Sequence, residues 1–214
     1  LLIDGASTDD TVSKAVATGI EFAHIVSEGD AGLYDAMNKA INMARGKFVC
    51  FLNAGDKLHA ADTLDKIASA TSLHPDAGVI YGDTDIVDDN GTKLRSRRLS
   101  PPEHLNWKSF RNGMLVCHQA FYANRSIIPP YDNQSYRFSA DFDWCIRIMK
   151  KAATKSMPLI NSHEILADYL SEGMTTANHK ASLRERFNIM KKHYGLFTTL
   201  LQHAWFVVRA LLKK

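Results

Sequence analysis

The first 81 residues alternate short apolar runs with stretches of helical periodicity, and this alternation leaves few architectures open to the chain. Strands are predicted at residues 1–3, 22–26, 48–52 and 78–81. Helices are predicted between them, one starting near residue 11 and the others spanning 33–45 and 62–73. This order predicts an α/β fold with a Rossmann-like, mostly parallel sheet flanked by helices, and with ligands at the carboxyl ends of the strands.

The pattern changes after residue 82. Residues 83–87 and 93–98, joined by the turn Asp89-Asn90-Gly91, predict a β-hairpin. A helix at 141–153 and short strands at 155–159 and 165–169 complete a predicted domain of residues 1–175. Two further helices, at 176–194 and 196–212, predict a C-terminal helical extension of residues 176–214.

Charge and cysteine content narrow the function classes. The chain of 214 residues has 26 Lys and Arg against 23 Asp and Glu, and a net charge of +3 is too small to indicate a nucleic-acid partner. Cys50, Cys117 and Cys145 form no CxxC pair, and the opening residues do not resemble a signal peptide. We therefore expect a reducing compartment and a cytoplasmic protein.

The first polar loop follows the strand at residues 1–3. Asp4 stands at the strand end, and Ser7 and Asp9 follow it before the helix begins. A carboxylate here would accept a hydrogen bond from a nucleobase N–H, while loop amides and hydroxyls would meet ribose or phosphate. The alternative is a helix-capping turn that serves only the local backbone.

The second polar segment spans residues 27–38. Its small residues, Gly32 among them, allow close approach of a ligand to the backbone, and Asp30, Asp35 and Asn38 supply polar side chains. A solvated polar helix face is the alternative interpretation.

The third polar segment is the turn Asn53-Ala54-Gly55-Asp56, at the end of a continuous apolar run. Hard cations such as Mn²⁺ and Mg²⁺ take oxygen ligands, often one or two from the protein and the rest from substrate phosphates. The turn is therefore a candidate metal site, with capping of the next helix as the alternative.

Taken in order, these motifs resemble those of the family 2 glycosyltransferases, inverting enzymes with the GT-A fold. The resemblance covers about residues 1–175 and rests on six segments: 4–9, 32–39, 51–56, 81–83, 117–119 and 141–144. Family members begin with a strand and helix before the position of Leu1, so the resemblance implies that this sequence is N-terminally truncated.

The resemblance implies roles for particular residues. It places a nucleobase contact at Asp4, and the expected nucleotide-binding set is Asp4, Ser7, Asp9, Asp30, Gly32 and Asn38. It places Mn²⁺ or Mg²⁺ at Asp56 and Asn53, although the usual Asp-x-Asp cluster is represented here by Asn53, Gly55 and Asp56.

In the second half the resemblance implies that Asp141 is the catalytic base. Family members commonly have a Glu before this Asp, and Ala140 stands there instead. Asp143 is the nearby alternative and is also expected near the sugar or acceptor pocket, and capping of the helix by Ser139 or Asp141 is the structural alternative. His118 and Gln119 are expected near the sugar or acceptor pocket, although a buried, hydrogen-bonded His explains the position equally well.

The implied reaction is transfer of a sugar from a nucleotide-sugar donor, most commonly a UDP-sugar, to an acceptor hydroxyl with inversion. The acceptor would be a saccharide or lipid-linked saccharide in the biosynthesis of a bacterial cell-surface polysaccharide or glycolipid. A non-catalytic nucleotide-sugar-binding module and a membrane-associated scaffold are the alternatives.

The end of the sequence carries two further expectations. Residues 169–175 resemble a flexible family loop that closes over the diphosphate. The apolar stretch 196–214, with Trp205 and terminal lysines, predicts a helix lying in the interface of the cytoplasmic face of the inner membrane. Packing on the catalytic domain or on a second subunit, as in a homodimer, is the alternative.

Overall fold

A computed structural model describes residues 1–171 and 178–211 as a mixed sheet flanked by helices. The strands are β1 Leu2–Asp4, β2 Ile25–Ser27, β3 Phe48–Val49, β4 Lys57–Leu58, β5 Val79–Val87, β6 Lys93–Ser96, β7 Phe121–Asn124 and β8 Leu159–Leu170. The helices are α1 Thr11–Ala17, α2 Leu33–Met43, α3 Thr63–Leu73, α4 Ala140–Thr154, α5 His179–Tyr194 and α6 Leu196–Leu211. Short 3₁₀ turns span Ser109–Asn112, His118–Ala120 and Arg125–Ile127.

The strands form two sheets. β1 and β2 pair in parallel, with Asp4 opposite Ser27. The larger sheet has the order β3-β7-β5-β8-β4, and β6 pairs with β5. The long β5–β8 ladder is parallel, so both strands carry their carboxyl ends to the same edge. That edge lies close to the turn at residue 56, because the Leu170 amide at the end of β8 donates to Asp56.

The predicted α/β class with flanking helices is confirmed, but the sheet is more mixed than the mostly parallel sheet expected. β7, which the sequence prediction missed, runs antiparallel between β3 and β5. The apolar run 48–52 pairs only through Phe48 and Val49. The rest of the run turns away, and the Phe51 ring packs on the core around Trp144.

Several predicted elements merge or shift. The strand at 78–81 and the first hairpin strand are one strand, β5, and the hairpin with β6 is confirmed. The two strands predicted at 155–159 and 165–169 are the single strand β8, with residues 155–158 outside it. The predicted start of the next helix at 176, the domain boundary at 175 and part of the loop 169–175 lie outside the described residues.

The core lies between the sheet and α4. This helix buries nine residues, with Trp144, Cys145, Ile146 and Ile148 completely covered. At about 25 cal/mol per Å² of apolar surface, such burial dominates the stability of the fold and fixes the angle of α4 on the sheet. The packing therefore holds the amino end of α4, which carries Asp141, rigidly.

The last helix presents an apolar face outward. Most of its exposed large apolar side chains recur every three to four residues, and together they are Leu196, Phe197, Leu200, Leu201, Trp205, Val207, Val208 and Leu211. The opposite face packs on α5, and Thr199 there is fully buried. Within the described part of the chain, no helix has both the length and the apolar character needed to cross a membrane.

Candidate active site

Asp4 ends β1 and is held by hydroxyl and amide donors. Its carboxylate accepts hydrogen bonds from the Ser7 amide at 2.9 Å, from the Ser7 hydroxyl and from the Ser27 hydroxyl at 2.6 Å. The hydrogen bond from Ser27, followed by those from Ser7, lowers the pKa of Asp4. The side chain is thus an ionised, oriented acceptor with lone-pair capacity left for a ligand N–H.

Asp30 brings the second predicted segment against the first. A Cβ placed on Gly5 would lie 3.1 Å from an Asp30 carboxylate oxygen, so the two loops touch at this glycine. Lys39, on α2, forms ion pairs with both Asp30 and Glu28. The hydrogen bonds with these carboxylates raise the pKa of Lys39, that with Asp30 most strongly.

A cleft of about 1170 Å³ opens between β1, α2 and the chain after β3. Five predicted site residues line it: Asp4, Ser7, Asp30, Gly32 and Asn53. The structure therefore gathers predicted nucleotide-binding residues and one predicted metal ligand around one cavity. A smaller cleft of about 620 Å³ adjoins it, sharing Asp30 and Gly32 and reaching Arg137 and Glu185.

Two members of the predicted nucleotide set are engaged by other parts of the protein instead. Asp9 is exposed and accepts a hydrogen bond from the Thr11 amide at the start of α1, as the capping interpretation expects. The Asn38 side chain donates to the Tyr131 carbonyl at 3.1 Å and accepts from the Tyr131 amide at 2.7 Å. Asn38 thus joins α2 to the second half of the chain, and it does not line the cleft.

Asp56 follows a tight turn in which Gly55 adopts φ +91°. Its carboxylate accepts hydrogen bonds from the Leu170 amide at 3.1 Å and from the Gln119 side chain at 2.5 Å. Burial raises the pKa of Asp56, against the effect of these two donors. No Lys, Arg or His among the described residues forms an ion pair with Asp56. A partly buried carboxylate without a counter-charge, in a turn whose Asn53 carbonyl accepts the Asp56 amide at 3.0 Å, is of the oxygen-donor type that a hard divalent cation prefers.

Asp141 lies in the first turn of α4 and is partly exposed. One carboxylate oxygen, Oδ1, accepts hydrogen bonds from the Tyr34 hydroxyl at 3.1 Å and from the Phe142 amide at 2.9 Å. The Tyr34 contact joins residues 107 positions apart. Burial, followed by the nearby Asp141 charge, raises the pKa of Tyr34, so its hydroxyl stays protonated and donates.

Asp143, the predicted alternative to Asp141, faces the opposite way. Its side chain is completely buried and contacts Arg147, Lys192 and His193. Burial opposes its ionisation, but the His193 hydrogen bond and the Arg147 charge hold the pKa of Asp143 well below its usual value. Asp143 is therefore an ion-pair centre between α4 and α5, with no exposed surface for a sugar or acceptor.

His118 and Gln119 are buried in the 3₁₀ turn before β7. The His118 imidazole bonds the Tyr131 hydroxyl and stacks on Phe51, and burial lowers its pKa below the usual range. Gln119 donates to Asp56 and accepts from the Cys117 thiol. Both residues support the site indirectly. His118 packs against the rings of Phe51, Tyr131 and Trp144, and Gln119 orients Asp56.

A second group of metal-ligand types lies on β4, β5 and β8. One ligand atom each of His59, Asp85 and Asp168 lies within 4.8 Å of the others. Lys93 already pairs with Asp85 at 2.7 Å, and His59 bonds Asp168 at 2.7 Å. Lys93 thus neutralises Asp85 and His59 occupies an oxygen of Asp168, whereas Asp56 has no basic partner in the described ranges.

Three site residues escaped the sequence analysis. Ser27 orients Asp4, and the register of parallel strands, which puts Asp4 opposite Ser27, is the signal that would have found it. Lys39, on α2, forms an ion pair with Asp30, which lies in the loop before that helix. Tyr34 lies within a predicted motif, but the sequence indicates no role for it, because no local pattern reveals a contact 107 residues away.

Comparison with known proteins identifies the family of the chain. Residues 1–128 match the model of glycosyl transferase family 2, and the chain therefore belongs to that family. It is 34% identical over 175 residues to the PGL/p-HBAD biosynthesis glycosyltransferase of Mycobacterium tuberculosis. The match covers 79% of this chain and 64% of that relative, so the chain spans less than two thirds of its relative's length.

Solved structures share the fold. S. aureus TarS, crystallised with UDP-GlcNAc, aligns with TM-score 0.61 and 14% identity over 88% of this chain and 54% of that one. Glucosyl-3-phosphoglycerate synthase from Mycobacterium tuberculosis, with Mn²⁺, UDP-glucose and phosphoglyceric acid, aligns with TM-score 0.57 and 13% identity over 87% and 67%. At these identities the likeness establishes the fold, and the expected GT-A type is confirmed.

Proposed function

We propose that this chain is the catalytic domain of a glycosyltransferase that moves a sugar from a nucleotide-sugar donor to an acceptor hydroxyl, with inversion, in cell-surface polysaccharide or glycolipid biosynthesis. The observation that carries the proposal is the contact between Tyr34 and Asp141. It joins α2, whose leading Gly32 lines the nucleotide-sized cleft, to a carboxylate suited to act as a base.

The donor end of the site is the cleft around Asp4 and Asp30. The oriented Asp4 carboxylate would accept the ring N–H of a uracil base, which supports a UDP-sugar donor. The glycine at position 32, with φ +118°, would let ligand atoms approach the backbone where a side chain would block them. UDP-GlcNAc in TarS and UDP-glucose in the mycobacterial synthase give the donor class further support.

A divalent cation, Mn²⁺ or Mg²⁺, would be held by Asp56 and Asn53 together with donor phosphate oxygens. Such an ion supplies neutralisation of the charge that develops on the departing diphosphate. The protein's own contribution is to orient Asp56 through the Leu170 amide and Gln119, whose hydrogen bonds oppose the rise in the Asp56 pKa that burial causes. Mn²⁺ in the mycobacterial synthase supports the choice of metal.

Asp141 would take the proton from the acceptor hydroxyl as that oxygen attacks the anomeric carbon and the bond to the diphosphate breaks. Its Oδ1 is occupied by two donors, and no described residue donates to Oδ2. Oδ2 is thus the atom left to receive the proton. A single displacement of this kind inverts the anomeric configuration and needs no nucleophile from the protein.

The test is transfer and hydrolysis of a panel of nucleotide sugars with Mn²⁺. We expect turnover of one donor that is lost on chelation and in Asp56→Ala. Asp168→Ala is the matched control, since that carboxylate is already bonded to His59; it should retain Mn²⁺-dependent turnover. Donor binding without any turnover would favour a binding module, and a metal effect lost in Asp168→Ala alone would move the metal site.

We also propose that the outward face of α6 lies on a membrane surface and brings the site to a lipid-linked acceptor. The face exposes Phe197, Leu200, Leu201 and Trp205 in one stripe, the arrangement of an interfacial helix. Flotation with vesicles containing anionic phospholipid should carry the protein upward and fail for Leu201→Glu. Leu73→Glu, at an isolated exposed leucine of α3, is the control. A concentration-dependent dimer disrupted by Leu201→Glu, without flotation, would assign the face to a second subunit.

A further inference from the structure

The Tyr34 side chain is fixed by its surroundings before it meets Asp141. Only 6% of the residue is exposed. Its ring stacks on Tyr131 with centroids 5.3 Å apart, and Tyr131 in turn stacks on the fully buried Trp144 at 4.7 Å. The backbone of Tyr131 is pinned by both ends of the Asn38 amide. A hydroxyl on so constrained a ring has little freedom of position.

The partner of that hydroxyl is much less constrained by packing. Asp141 is partly exposed, and as a first-turn residue its rotamer is set mainly by what binds its oxygens. The Tyr34 hydroxyl and the Phe142 amide both donate to Oδ1. Two donors on one oxygen fix the plane of the carboxylate and direct the lone pairs of Oδ2 away from the protein donors.

We propose that Tyr34 is the positioning residue for the base: its hydroxyl fixes the orientation of the Asp141 carboxylate, and it links the base to the donor loop through one turn of α2. The inference rests on the proposed function of Asp141. Gly32 lines the cleft, and Asp35 accepts a hydrogen bond from the Ala31 amide. The loop that would bind the donor is therefore held to the helix that carries Tyr34. Donor seating and alignment of the base therefore share one rigid element.

Among the titratable groups of the described residues that face Asp141 from neighbouring elements, Tyr34 is the one that donates a hydrogen bond to it. Those in electrostatic range are Tyr34, Arg97, His118, Tyr131, Cys145 and Tyr169. Burial raises the pKa of the Cys145 thiol and of the tyrosine hydroxyls and lowers that of His118. At neutral pH Arg97 is thus the charged member, and its guanidinium is bound to three main-chain carbonyls, those of Leu99, Met114 and Leu115.

Tyr34→Phe removes only the hydroxyl and keeps the stacked ring. At pH 7, loss of alignment should lower kcat by roughly 10- to 100-fold, while donor Kd stays within about twofold. The split between kcat and donor binding distinguishes positioning from unfolding.

Tyr194→Phe is the matched control, because its hydroxyl also joins distant parts of the chain, donating to the Trp107 carbonyl at 2.6 Å. Its kcat and its donor Kd should both match those of the wild type. Asp141→Asn separates the two proposals. If Asp141→Asn abolishes transfer and Tyr34→Phe keeps the wild-type kcat, Tyr34 has no positioning role. If Asp141→Asn transfers normally, the assignment of the base itself is wrong.

Discussion

Replacing Asp143 by Asn should destabilise this protein strongly without altering any residue of the proposed reaction site. The Asp143 carboxylate has no exposed surface and receives Arg147, His193 and Lys192, the last two at 2.8 and 3.2 Å. The variant keeps the shape of the side chain but removes the negative charge that these three groups share.

The size of the effect follows from the exposure of the partners. Removing one member of a buried ion pair costs about 3–5 kcal/mol, because the other charge is left buried. Arg147 and Lys192 are 25% and 47% exposed, so water would recover part of their solvation. We therefore expect about 3 kcal/mol of lost stability, which corresponds to a fall in Tm of about 8 °C for a chain of this size.

The assay is thermal and urea unfolding of both proteins as a function of pH. The pKa of Asp143 is lowered in the folded state, so its contribution is complete above the unfolded value near 3.9 and is lost as pH falls towards the folded value. The difference between wild type and Asp143→Asn should persist at pH 6–7 and shrink below about pH 4.

Asp132→Asn is the control, since Asp132 meets the same Lys192 at 3.9 Å on the surface. It should cost under about 1 kcal/mol. A loss below 1 kcal/mol for Asp143→Asn at pH 7, or a difference that grows as the pH is lowered, would refute the argument that this carboxylate fastens α4 to α5.

Three further substitutions test other parts of the account. Gly82→Ala places a Cβ against the Glu164 carbonyl and 2.8 Å from the Ser162 hydroxyl, and it should cost about 3 kcal/mol in urea unfolding; unchanged stability would contradict the close β5–β8 approach. Asn38→Ala strands the Tyr131 amide and carbonyl, and calorimetry should show a loss of about 2 kcal/mol, with donor affinity preserved in the protein that remains folded. Asp4→Asn should weaken UDP binding roughly 10-fold by titration calorimetry while Asp9→Asn does not; equal effects would remove the distinction between ligand-facing and capping carboxylates.

Local sequence patterns predicted the elements that carry the site. The strand before Asp4, the helices α2 and α3 and the helix that begins near Asp141 lie where apolar periodicity and capping residues put them. The reason is that each is set by its own residues: Leu33 and Met37 define one face of α2, and Asp62 precedes α3. Loops between these elements then bring Asp4 and Asp30 together.

What the sequence could not supply are pairings between distant segments. β7 has four residues and includes Asn124, so nothing local distinguishes it from a loop; it exists because β3 and β5 flank it. The run 48–52 seemed a central strand, but Phe51 is drawn into the aromatic cluster with His118 and Trp144. Tertiary packing overrides local preference at both places.

Helix periodicity could predict that Asp141 and Asp143 face different sides of α4, but not which of the two lies at the site. Two residues along an α-helix correspond to a rotation of about 200°, so only one of the pair can face a pocket when the other faces the core. The apolar residues Trp144 and Ile148 mark the core side of α4, yet Asp143 is also buried there because α5 supplies Lys192 and His193. Those partners, 50 residues on, are invisible to helix periodicity.

The most direct test of the central claim is single-turnover sugar transfer by Asp141→Asn, with donor binding measured on the same protein. We expect the nucleotide sugar to bind with near wild-type affinity while the rate of transfer falls by a factor of about 10²–10⁴, the usual contribution of a general base. Transfer at the wild-type rate by this variant would contradict the account, because the carboxylate that Tyr34 holds would then take no part in the reaction.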